Sequence, residues 1–169
     1  MLPTPFDDSG RIEWGDFAPI ISHQLENGAR GIAALGLGGE ASRLSIEERL
    51  EIADTVLRAV PRGTRTLIGV SADDTSTACA LARQAALHGA TAVMVAPPRI
   101  TTMSRQALRD HYLAVCDAAE SIEVMVQDAP AFIEVSLGAE FVAELAAVRA
   151  NIRYAKSEGF PARTAPRSS

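Results

Sequence analysis

Short apolar runs alternate along this chain with longer amphipathic ones. The short runs are Gly31 to Leu35, Thr66 to Val70, Thr91 to Ala96, Glu123 to Gln127 and Ile152 to Lys156. Their length and bounding turn residues predict strands. They recur roughly every 30 residues, the span of a strand plus a crossover helix. The stretches between them carry helical spacing. Trp14, Phe17, Ile21 and Leu25 share a face, and Gly28 follows as a stop. Ser45-Ile46-Glu47-Glu48 is a capping box, in which the serine hydroxyl and the glutamate each satisfy an orphan amide. Leu50, Ala53, Val56, Leu57 and Val60 then give that helix its buried face. Asp74 or Thr75 opens the next helix, which runs through Ala78, Leu81, Ala82 and Ala85 to Gly89. Ser104 opens another, with Leu108, Tyr112, Val115 and Ala119 inward, and a last helix covers Ala139 to Arg149.

Repeated βα units imply parallel strands covered by helices, so the fold is α/β: a doubly wound sheet or a (β/α)₈ barrel. Five strands, with a stub over Met1 to Pro5 as a sixth candidate, are too few to close an eight-stranded barrel of about 250 residues. The expected domain is residues 1–158. Residues 159–169 are rich in Pro, Arg, Ser and Ala, with Phe160 as their one large apolar side chain, and read as a disordered tail.

Composition narrows the function. The 169 residues are 47% hydrophobic and 5% aromatic, which suits helices packed closely on a sheet. Sixteen basic against twenty-one acidic residues give a net charge of -5 without a long like-charged run, so no nucleic-acid or anionic-membrane footprint is present. No segment reaches about 18 uninterrupted apolar residues, and the N-terminus lacks a basic-then-apolar pattern. Cys79 and Cys116 fall far apart on apolar helix faces, as buried reduced thiols would. The expectation is a soluble cytoplasmic protein without a metal site. His23, His88 and His111 fall on predicted helices, at surface or half-buried positions, and receive no role.

Two features carry candidate chemistry. Lys156 closes the strand run Asn151-Ile152-Arg153-Tyr154-Ala155-Lys156. It is either a solvated lysine at a strand terminus or a desolvated amine able to attack a carbonyl. Gly36-Leu37-Gly38-Gly39-Glu40-Ala41 follows a strand and fits a dinucleotide-binding glycine turn. Three features oppose that reading: the helix starts only at Ser45, Glu40 sits beside the presumed anion, and Ile68-Gly69-Val70-Ser71 ends without an acid for the ribose.

Taken in order, the motifs resemble the dihydrodipicolinate synthase and N-acetylneuraminate lyase family of class I aldolases. The matching segments are Thr4-Pro5-Phe6 with Gly10, Gly36-x-x-Gly39-Glu40 and Leu44-Ser45-x-Glu47-Glu48-Arg49. Gly69-Val70, Gly89-Ala90, Pro97, Asp128-x-Pro130 and the strand ending at Lys156 complete the set. The resemblance implies a (β/α)₈ barrel lineage with about five to six βα units present, and a homo-oligomer. It also implies that Lys156 forms a Schiff base with pyruvate or another 2-oxo acid. The lysine itself is then the electron sink, so no cofactor is implied.

The departures shape the expected site. Two adjacent threonines of the synthases are replaced by Leu37 and Gly38, leaving the backbone amides of Gly38 and Gly39 to bind a substrate carboxylate. The family's catalytic tyrosine aligns with Gln127, which can orient a carbonyl but cannot transfer a proton. A second tyrosine position falls near Pro98-Arg99, where Arg99 is either a carboxylate partner or a solvated loop residue. Asp128 and Glu158 lie at or beyond strand ends, as replacement acid or base or as ordinary polar loop residues. The resemblance therefore points to a carbon–carbon lyase or aldolase other than dihydrodipicolinate synthesis. A catalytically silent remnant or binding fragment is the competing reading. Family members continue beyond the lysine strand, so a chain shortened by a frameshift near Gly159 is expected, ahead of a fragment completed by a partner or a stable half-barrel.

Overall fold

Each predicted strand forms, and every boundary falls within one residue of the apolar run that predicts it. The computed structural model describes residues 1–100, 102–130 and 135–158. Strands β1 (Gly31–Ala34), β2 (Arg65–Gly69), β3 (Ala92–Val95), β4 (Glu123–Asp128) and β5 (Ile152–Ser157) form one parallel sheet. Their order is β1-β2-β3-β4-β5. A doubly wound sheet reverses its strand order at a switch point. This one advances in a single direction, as a barrel does, and thereby settles the choice left open by the periodicity. Among the described residues the sheet does not close, so β1 and β5 are its edges. The expected stub shortens to one bond, from the Leu2 amide to the Ala33 carbonyl at 2.7 Å.

The helices are α1 (Phe17–Glu26), α2 (Ile46–Ala59), α3 (Thr75–Leu87), α4 (Arg105–Ala118) and α5 (Ala139–Val148). Ser45 and Glu48 cap α2 reciprocally, Asp74 caps α3 through the Thr77 amide, and Ser104 caps α4 through the Ala107 amide. Between Gly36 and α2 lie two 3₁₀ turns, Leu37–Gly39 and Ala41–Arg43, which hold the helix start away from the glycines.

The sheet has two unlike faces. Ile32, Ala34, Ile68, Val93, Val95, Val124 and Val126 point outward and are buried against the helices with Val56, Ala82, Val115 and Leu145. Burying each of the valine, isoleucine and leucine side chains contributes on the order of 1.5–3 kcal/mol. The alternate residues line the concave face. At its lower end Arg65 donates to Glu123 at 2.5 Å and to the Tyr154 hydroxyl at 2.9 Å, linking β2, β4 and β5. At its upper end β1 leaves through Leu35, a buried residue in the left-handed region at φ 58°. The Leu35 carbonyl lies so close over Gly69 that any side chain there would collide with backbone. Gly69 is therefore demanded by the close approach of two strand ends.

Two expectations change. His111 is 1% exposed rather than at the surface. It packs between α3 and α4, with Nδ1 3.0 Å from the Thr75 hydroxyl and its ring edge-on to Tyr112. Helical periodicity placed Tyr112 inward, and the adjacent residue follows it because α3 covers that side as well. Cys116 is buried as expected, whereas Cys79 is only half-buried. No helix among the described residues is long and apolar enough to cross a membrane. Residues 159–169, expected to be a disordered tail, lie outside the described residues.

Candidate active site

Lys156 reaches the concave face through an irregularity in β5. Val124 pairs with Ile152, but the next residue, Met125, pairs with Tyr154, so β5 carries one residue more than β4 at that point. Regular pairing then resumes as Val126–Ala155, Gln127–Lys156 and Asp128–Ser157. Were Arg153 paired with Met125 in regular register, Lys156 would stand opposite Asp128 and face the helices. With Arg153 unpaired, Tyr154, Lys156 and Gln127 share the concave face at the carboxyl ends of the strands, where barrel enzymes place their chemistry.

Glu158 completes the group. Its amide donates to the Asp128 carbonyl at 2.8 Å, which extends the ladder by one bond beyond β5 and fixes the residue. The Lys156 Nζ lies 2.5 Å from Glu158 Oε1, and the Gln127 amide Nε2 donates to Oε2 at 2.9 Å. The hydrogen bond from Lys156, assisted by the one from Gln127, holds the Glu158 carboxyl below the usual carboxylate range, against a smaller opposing effect of burial. Gln127 is 2% exposed, so its amide acts without competition from water.

A cavity of about 320 Å³ opens beside this group, lined by Gly36, Leu37, Ser71, Asp73, Arg99 and Gln127 among others. Of the three only Gln127 lines this cavity; Lys156 lines a separate groove against α5 and is linked to Gln127 through Glu158. Arg49, from the capping segment, is 7% exposed and also lines the cavity, its Nη2 donating to the Ser71 carbonyl at 2.7 Å. Its Nε is buried with no partner among the described residues, and burial pulls its guanidinium below the ordinary arginine value.

The other expected site residues divide. The amide of Gly39 donates to the Gly36 carbonyl at 3.0 Å, so the 3₁₀ turn occupies it. Gly38 is exposed at the turn and its amide lies outside the two bonds that build it, which come from Gly39 and Glu40. Thr4 anchors the turn from below, its hydroxyl donating to the Gly39 carbonyl at 2.7 Å. Arg99 is exposed at the cavity rim, its backbone amide donating to Asp73 at 3.0 Å. Asp128 faces the helices. Its carboxylate accepts from the amides of Leu137 at 3.2 Å and Gly138 at 3.3 Å, ahead of α5. Glu158 carried a detectable signal in the sequence, since two residues beyond Lys156 on an extended chain is the same face. Arg49 stands in the matching segment Leu44-Ser45-x-Glu47-Glu48-Arg49 but received no site role, because helical spacing cannot tell which charged residue a cavity will enclose.

The dihydrodipicolinate synthetase family matches residues 1–157. The chain belongs to that family. The 4-hydroxy-tetrahydrodipicolinate synthase of Pseudomonas putida (strain W619) is 31% identical over 147 residues, covering 87% of this chain and 50% of the relative. That of Parasynechococcus marenigrum (strain WH8102) is 32% identical over 144 residues, covering 85% and 48%. Among solved structures, YagE, a prophage protein of the dihydrodipicolinic acid synthase family from E. coli K12 in complex with pyruvate, superposes with a TM-score of 0.87. It is 30% identical and covers 92% of this chain and 52% of its own. The wild-type Ruminococcus gnavus sialic acid aldolase shares the fold at a TM-score of 0.87 and 21% identity, covering 94% of this chain and 52% of its own. The chain thus spans about half the length of the relatives it matches, and its sheet is an incomplete barrel of the family's lineage.

Proposed function

We propose that this family member is a Schiff-base-forming carbon–carbon lyase or aldolase acting on pyruvate or another 2-oxo acid. Lys156 is the nucleophile. The observation that carries the reading is the extra residue in β5, which sets Lys156 opposite Gln127 on the concave face at the strands' carboxyl ends. The pyruvate bound by YagE supports the choice of a small 2-oxo acid. In the reaction the Lys156 amine attacks the keto carbon, water leaves, and the protonated imine draws electrons from the adjacent carbon as a carbon–carbon bond forms or breaks. The Gly38 amide, at the exposed turn beside the cavity, binds the substrate carboxylate together with Arg99 at the rim. Gln127 orients the imine. Leu37 and Gly38 in place of two threonines, and Gln127 in place of a tyrosine, set the substrate apart from that of dihydrodipicolinate synthesis. The enzyme assembles as a homo-oligomer in the cytoplasm and uses no cofactor beyond the lysine.

A catalytically silent fragment is the second reading, favoured by the partly open lower concave face, where Arg65 and Tyr154 remain exposed at 60% for the arginine side chain and 37% for the tyrosine. Intact-mass spectrometry after incubation with pyruvate and borohydride separates the two. A single adduct that disappears in Lys156→Ala supports the lyase, and a folded protein without an adduct from pyruvate or other 2-oxo acids supports the silent fragment.

A further inference from the structure

We propose that Glu158 is the catalytic acid and base of imine formation at Lys156, in the place that a tyrosine would hold at Gln127. The inference rests on the lyase reading above. Three observations carry it. Glu158 Oε1 touches the reacting nitrogen itself, at 2.5 Å from Nζ. Its other oxygen is held by Gln127, a buried side chain that can position a carboxylate but cannot move a proton. Its backbone is tied into the β4–β5 ladder through Asp128, so the carboxylate is presented by the sheet rather than by a free loop. Asp128, the other carboxylate at this strand end, points toward α5 and is engaged by the Leu137 and Gly138 amides.

The proton bookkeeping closes with Glu158 alone. Its carboxylate takes one proton from the Lys156 ammonium, freeing the nitrogen lone pair. That pair forms the carbon–nitrogen bond as the carbonyl π pair moves to oxygen, and Glu158 returns the proton to that oxygen. Glu158 then takes a second proton from nitrogen and delivers it to the hydroxyl. The carbon–oxygen bond breaks, water leaves, and the nitrogen pair closes the protonated imine. Two protons move from nitrogen to oxygen, and Glu158 ends as it began, ionised. Glu158 keeps one oxygen on the Lys156 nitrogen while Gln127 holds the other.

The test follows the rate at which pyruvate and cyanoborohydride convert the protein to its adduct, read by intact mass across a pH series. Wild type is compared with Glu158→Gln, Glu158→Asp and Lys156→Ala, with circular dichroism to follow folding. Glu158→Gln should slow trapping by about 100-fold, the usual size of a lost acid–base group, and should flatten the acid limb of the pH profile. Glu158→Asp should fall between. Trapping by Glu158→Gln at the wild-type rate or faster overturns the proposal while leaving the lyase reading intact. Should Glu158→Gln not fold, Glu158→Asp decides: trapping about tenfold slower supports the role, and a wild-type rate overturns it. A wild type that forms no adduct overturns the lyase reading and this inference with it.

Discussion

Gln127 and Lys156 stand opposite each other across the β4–β5 ladder because β5 carries one residue more than β4 between Ile152 and Tyr154. Arg153 is the residue without a partner. A strand has a side-chain period of two, so a shift of one residue moves every later side chain to the other face. The bulge is thus an orientation device for the candidate nucleophile, and it can be tested by moving the count.

Deleting Arg153 should remove the irregularity and leave Lys156 opposite Gln127, so trapping with pyruvate and borohydride persists. Inserting one alanine between Ala155 and Lys156 should turn Nζ toward the helices and abolish the adduct. Survival of the adduct in the insertion variant, with folding intact by circular dichroism, would refute the facing argument.

Asp128 should prove a structural residue. Asp128→Ala removes the acceptor for two amides ahead of α5. The expected cost is about 1–2 kcal/mol in urea unfolding, with trapping at Lys156 retained. Asp128→Asn keeps one carboxamide oxygen and should lose less. Unchanged stability with lost trapping would instead assign Asp128 to the substrate.

His111 should make the fold acid-sensitive. Burial, partly offset by Asp74, lowers its pKa from the ordinary 6.5. A group depressed in the folded state stabilises above its unfolded value and loses that contribution as pH falls through the folded one. Stability should therefore decline as pH drops below about 6.5, the unfolded histidine value. Asp7 and Asp74, each lowered to about 2, weaken the fold only in much stronger acid. Urea midpoints at pH 7.5 and 5.0 should differ more for wild type than for His111→Phe. An equal difference in both proteins would rule the histidine out as the cause.

Ser45 tests local capping alone. Its hydroxyl accepts from the Glu48 amide at 3.1 Å, and the Glu48 carboxylate accepts from the Ser45 amide at 2.7 Å. Ser45→Ala should lower unfolding free energy by about 1 kcal/mol without altering trapping. A loss beyond about 2 kcal/mol would mean that the turn before α2 carries tertiary contacts as well.

The residue pattern by itself determined the five strands and five helices of the described residues and the caps at Ser45 and Ser104, and left the cap of α3 between Asp74 and Thr75. These depend on period, on Gly stops and on side chains that bond amides three residues away, all of which are local. It also determined the family, since Gly36-x-x-Gly39-Glu40, the capping box and the lysine strand occur in order. Tertiary structure decided which way those elements face. The unpaired Arg153 cannot be seen in β5 alone, because a bulge exists only relative to the strand beside it. The engagement of Asp128 by the approach to α5, and of Glu158 by Gln127, likewise depends on partners brought in from other segments. The burial of His111 needed α3 to pack over α4. Hydrogen-bond partners and the face a side chain takes are properties of pairs of segments, and the spacing within one segment holds no record of its neighbour.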